Sequence, residues 1–143
     1  DDRPRPDSRF RTEPIQRIAA QERVPAEQPL PICPWLAVSM LQKAVRRDGA
    51  DLALKGAATL LRDAPDRLWR RQGGIAFEDI GLVSLPSVGL TVAALTGKRF
   101  RASIGGAWAV ASAVVKALAE ARKAGRSMTF AWQGKGCPPL PTP

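Results

Sequence analysis

Residues 34–61 read PWLAVSMLQKAVRRDGADLALKGAATLL, two apolar-periodic runs divided by Asp48-Gly49. In the first run Trp35, Val38, Leu41 and Val45 recur at spacings of three and four, the mark of an amphipathic helix. Pro34 suits its first turn, where a missing N–H costs nothing. Lys43, Arg46 and Arg47 crowd its last turn, where positive charge complements the helix dipole. The second run, from Ala50 to Arg62, offers Leu52, Leu54, Ala57, Ala58 and Leu61 for packing. A joint this short between two helices predicts an antiparallel helical hairpin.

Outward from the hairpin the helical reading continues. Asp63-Ala64-Pro65 closes the second helix and opens a third, which runs through Leu68, Trp69, Gln72, Ile75, Ala76 and Ile80 to a C-cap at Gly81. Gly73-Gly74 interrupts it at roughly 1 kcal/mol per glycine, so either another element approaches closely there or the helix bends. Ser84-Leu85-Pro86 restarts the chain, and Val88 to Leu95 reads as a short apolar helix ended by Gly97. Lys98-Arg99-Phe100-Arg101 reads as a basic loop around an aromatic. After Gly105-Gly106, residues Ala107 to Lys123 carry the stripe Trp108, Ala111, Val115 and Leu118, widened by Val110, Val114 and Ala117. No stretch alternates with period two, so the fold class is all-α, a single compact bundle of about five helices.

Charge and proline set the boundaries. Of the 143 residues, 22 are Lys or Arg and 13 are Asp or Glu, for a net charge of +9. The first 34 residues hold six arginines and six acids, so the whole excess lies in residues 35–143. Of 13 prolines, seven precede residue 35 and four follow residue 137. Proline removes a backbone donor and restricts the residue before it, which predicts a Pro/Arg-rich N-terminal tail over 1–33, a basic helical domain over 34–128 and a Pro-rich C-terminal tail over 129–143. No run of about 18 apolar residues is apparent, and the opening DDRPRPDSRF is not an export signal. The expectation is a cytoplasmic protein with no membrane partner and with Cys33 and Cys137 reduced.

The absence of histidine removes the commonest general base and the commonest metal ligand together. No phosphate loop and no GxGxxG occurs, and neither Ser nor Cys has a base to activate it. Glu78-Asp79 is the one compact carboxylate pair, but adjacent helical residues point about 100° apart. Their plainer role is an ion pair with Arg70, Arg71 or a neighbouring helix. No enzyme, cofactor or metal is expected. Lys43, Arg46 and Arg47 form one basic cluster, Arg67, Arg70 and Arg71 a second, and Lys98, Arg99 and Arg101 a third. Such clusters suit salt-dependent, sequence-independent contact with phosphates. Trp35, Trp69 and Trp108, near helix starts, read as core or interface anchors, and Trp132 as the exposed one.

Two stretches also resemble a known family. MLQKAVRRDGADLALKGAATLL at 40–61, followed by DRLWRRQGGIAFEDIGLVSL at 66–85, is similar to the C-terminal helical region of replication-associated recombination ATPases of the RarA/MgsA type, AAA+ relatives of clamp loaders. The matching positions are Lys43, Arg46, Asp51, Ala53 and Leu54, then Arg70, Arg71, Ala76 and Glu78-Asp79-Ile80-Gly81-Leu82. Gly49 stands where that family has an aspartate, and Gly73-Gly74 where it has bulkier apolar residues. The resemblance covers about a third of the chain and none of an ATPase domain, and it implies a region that supports oligomer assembly of a DNA-acting machine.

Residues and resemblance together predict a non-catalytic accessory or scaffold module of DNA replication, repair or a mobile element in a bacterium. It would act by self-association and by phosphate contact through Lys43, Arg46, Arg47, Lys98, Arg99 and Arg101. Arg70, Arg71, Glu78, Asp79 and Trp69 would hold the fold or an interface. The alternative is a protein-interaction module for an acidic partner or an AAA+ ATPase, with no direct nucleic-acid role.

Overall fold

The computed structural model describes residues 28–133 together with Gln16 and Ile18. Helix α1 (Pro34–Arg46) begins on an extended Cys33 with proline at its first position, and α2 (Ala50–Asp63) follows. Between them Asp48 takes a left-handed φ of 60°, and the Gly49 N–H bonds the Ala44 carbonyl at 2.8 Å. That pattern is a Schellman-type stop, with the aspartate rather than the glycine in the left-handed position. The expected hairpin forms, and Gly56 of α2 lets α1 come close. A Cβ there would lie 3.2 Å from Met40 Cε, 3.5 Å from the Ala37 carbonyl oxygen and 3.6 Å from Leu41 Cα.

Helix α3 (Pro65–Ile75) passes through Gly73-Gly74 without a break. Gly73 serves close packing, since a Cβ would meet Leu95 Cδ1 at 3.1 Å, while Gly74 faces open space. The bend comes later. Residues Ala76–Ile80 form a π-helical turn and Gly81–Ser84 a 3-10 turn, joined at Gly81, whose φ of 49° and ψ of −126° suit glycine. Helix α4 (Leu85–Leu95) starts on Ser84, whose hydroxyl accepts from the Ser87 N–H at 3.4 Å. Lys98–Ser103 is a short helix, α5, where a loop was expected. Gly105 and Gly106, with φ of 127° and 99°, turn the chain into α6 (Ala107–Gln133).

Helix α6 is the centre of the domain and touches every other element. Its Val110, Ala111, Val114, Val115 and Leu118 are buried, as the sequence stripe requires. They meet Leu41 and Val45 of α1, Leu54 and Leu60 of α2, and Leu68 and Ile75 of α3 in one core. The fold is all-α, and no strand occurs among the described residues.

The boundaries differ from expectation at both ends. Ile18, placed in the N-terminal tail by composition, is buried in the core, and the Leu30 N–H bonds Thr59 Oγ1 at 2.9 Å. At the other end α6 runs to Gln133, ten residues past the helix read from sequence and into the expected tail. Cys33 is exposed, and Cys137 and the Trp132 side chain lie outside the described residues.

Candidate nucleic-acid interface

The first basic cluster divides. Lys43 and Arg47 are exposed and have no ion-pair partner among the described residues. Arg46, placed with them by spacing, reaches across to the π-turn instead. Its Nε donates to Asp79 Oδ1 at 3.1 Å and its Nη2 lies 3.0 Å from the same oxygen. The Asp79 side chain is only 10% exposed and Oδ2 has no partner, whereas Arg46 is 47% exposed. Beside this clasp, Arg71 Nη1 donates to Gln42 Oε1 at 3.1 Å, one helical turn away on α1. Two polar bonds, one from Arg46 to Asp79 and one from Arg71 to Gln42, therefore tie α1 to the α3 segment and its π-turn. Glu78 and Arg70 are exposed.

The third cluster divides as well. Lys98 and Arg99 are exposed at the start of α5. Arg101, expected on a phosphate-binding loop, is turned inward and only 9% exposed. Its guanidinium stacks 4.3 Å from the centroid of buried Trp69, and Nη1 donates to the Ala94 carbonyl at 2.9 Å. A cation held over an indole and bonded to a carbonyl is an internal strut joining α3, α4 and α5. Arg101 is thus turned away from the surface where phosphate contact was expected, and Trp69, 6% exposed, packs in the core beneath it.

Glu78 and Asp79 lie in different surroundings, Glu78 exposed and Asp79 nearly buried. Asp79 is spent on Arg46, and among the described residues no group of three or more Cys, Asp or Glu could hold a metal ion. At the end of α2, the Arg62 guanidinium hydrogen-bonds the Asp63 carboxylate at 2.7 Å and holds its pKa below the usual range.

Two surface features were missed from the sequence. The first is a broad apolar face. Phe77, Leu82, Val83, Leu85, Val92 and Leu95 are exposed, Leu82 to 90%. The signal was available, because no charged residue occurs from Ile80 to Gly97. Pro65–Leu95 is in fact long and apolar enough to cross a membrane by length and composition alone, which corrects the expectation that no such stretch exists. The buried core helix of a soluble protein passes that same test, but here only a third of the most apolar window is buried. Beside this face, Gly89, Val92, Ala93, Thr96, Arg99 and Phe100 line a groove of about 730 Å³ between α4 and α5.

The second is Trp35, read as a core or interface anchor, which is 78% exposed and so is not part of the core. The buried arc of α1 is centred on Ala37, Leu41, Ala44 and Val45, and two alanines gave it little weight in a reading led by large residues. Leu36, the neighbour of Trp35, and Leu52 of α2, also exposed, line a groove of about 380 Å³ between α1 and the start of α2.

No family model matches the chain, and neither does any curated protein or solved structure.

Proposed function

We propose that this domain is a non-catalytic accessory or scaffold module that self-associates and contacts DNA phosphates without reading sequence. The observation that carries the reading is the set Lys43, Arg47, Lys98 and Arg99, all exposed and none in an ion pair among the described residues. Cations free of internal partners keep their full attraction for a polyanion, and the net charge of +9 adds a long-range component. Arg46 stands partly aside because Asp79 already neutralises it. The association with replication, repair or a mobile element rests on the resemblance of residues 40–85 to the recombination ATPases.

Self-association is supported by the uncharged face of α4. A helix apolar all round is normally covered, and α4 covers only the side carrying Ser87, Leu90, Thr91 and Ala94. Light scattering of the wild type should give a mass above 15.4 kDa at high concentration. Leu82→Ser with Leu85→Ser should return it to the monomer, weakening association by about 100-fold or more. A wild type that stays monomeric at every concentration would remove this part of the reading.

The DNA part is tested by Lys98→Glu with Arg99→Glu, followed by fluorescence anisotropy on a labelled short duplex across a salt series. Losing two phosphate contacts should flatten the slope of log K against log salt by about 2 and weaken binding most at low salt. An unchanged slope would exclude these two residues from the interface.

A further inference from the structure

The groove between α1 and α2 is assembled from one face of α1. Leu36, Met40, Lys43 and Arg47 follow one another at spacings of four, three and four, so they stand in a row along the helix. Leu52 of α2 and Ile32, just before α1, close the sides. The volume of about 380 Å³ has room for two or three apolar side chains and not for a folded surface. Met40 is an unbranched, adaptable floor, and its terminal methyl lies over Gly56, so it has space to shift. At the end of the row away from Leu36 stand Lys43 and Arg47, exposed and one turn apart.

We infer that this groove receives an acidic amphipathic helix of a partner protein. Apolar residues at successive turns of that helix fill the space between Leu36, Met40 and Leu52, and its carboxylates meet Lys43 and Arg47. Charge selects this occupant. The uncharged α4 face that a second copy would offer carries no carboxylate for Lys43 and Arg47. Duplex DNA satisfies the cations but leaves Trp35, Leu36 and Leu52 in water. Asp48 and Asp51 are exposed at the α1–α2 turn beside Arg47, but neither lines the groove, whereas Lys43 and Arg47 do. A bound helix would meet the two cations inside the groove and the two acids only at its rim. The groove shares Lys43 and Arg47 with the proposed DNA contact but not Lys98 and Arg99, so a variant of the latter pair separates the two readings.

The test uses the full chain and a labelled peptide of about five helical turns, built of Leu and Glu so that leucine occupies one face. The comparison peptides are a scrambled version with the same composition and a version with Lys in place of Glu. Anisotropy should report saturable binding of the acidic amphipathic peptide, at least about tenfold tighter than of either comparison peptide. Lys43→Glu with Arg47→Glu, and separately Leu36→Ser with Leu52→Ser, should each weaken it about tenfold or more, whereas Lys98→Glu with Arg99→Glu should leave it unchanged. All of these positions are exposed, Leu36 and Leu52 to about half, and circular dichroism checks that each variant keeps its helical content. Equal binding of the scrambled peptide would show charge attraction alone and overturn the groove. Insensitivity to the Leu36 and Leu52 pair would do the same. If that pair instead converted a dimer to a monomer in light scattering, the groove would belong to a second copy and the inference would fall.

Discussion

Gly56→Leu should lower the thermal midpoint by about 15 °C. The effect comes from backbone and not from a yielding side chain. A leucine at 56 must place its branch where α1 presents the Ala37 carbonyl oxygen and Leu41 Cα, within 3.5 and 3.6 Å of the Cβ position. Neither can move without separating the two helices that form the hairpin, at a cost of about 3 kcal/mol. Gly56→Ala separates this explanation from a general intolerance of change. Its single Cβ is in ordinary contact with that backbone and tight only against the Met40 terminal methyl at 3.2 Å, which can rotate away, and the helix gains up to about 1 kcal/mol of propensity. The alanine variant should therefore melt within a few degrees of the wild type. Parallel calorimetry of both checks the account, and similar large losses for the two would refute the close-approach explanation.

Arg46→Ala should cost more than Asp79→Asn, although both break the same ion pair. Removing the arginine leaves a carboxylate whose side chain is only 10% exposed and whose Oδ2 has no other partner. An uncompensated buried charge of this kind costs about 2–3 kcal/mol. Asp79→Asn removes the charge, keeps a carbonyl oxygen near Arg46, and leaves a guanidinium that is already 47% exposed and can turn to water. That loss should be about 1 kcal/mol. Urea denaturation of the two variants measures the difference, and a larger loss for Asp79→Asn would contradict the asymmetry.

The hairpin was legible because its period and its Asp48-Gly49 stop agree, and the α6 stripe because it is long. What was not legible depends on tertiary pairing. Nothing local to Lys98-Arg99-Phe100-Arg101 says that the third cation will leave its neighbours and settle on Trp69, which lies in another helix. Nor could helical spacing assign Asp79 to Arg46, because the π-turn at Ala76–Ile80 shifts the direction of every side chain in it. Both corrections act in one sense. Spacing identifies which cations are neighbours along a helix, while burial decides which of them remain available. The candidate interface thus shrinks from six residues to Lys43, Arg47, Lys98 and Arg99, with Arg46 half engaged. The apolar face is a different case, since its uncharged interval from Ile80 to Gly97 is plain in the sequence and its exposure is not.

The most direct test of DNA contact is titration of a labelled short duplex with the wild-type chain over a salt series beginning at about 50 mM, where a phosphate-driven binder is strong. Four free cations predict saturable binding and a slope of log K against log salt of about −3.6. Absence of binding at the lowest salt, or a slope near zero, would contradict phosphate contact as the work of these residues.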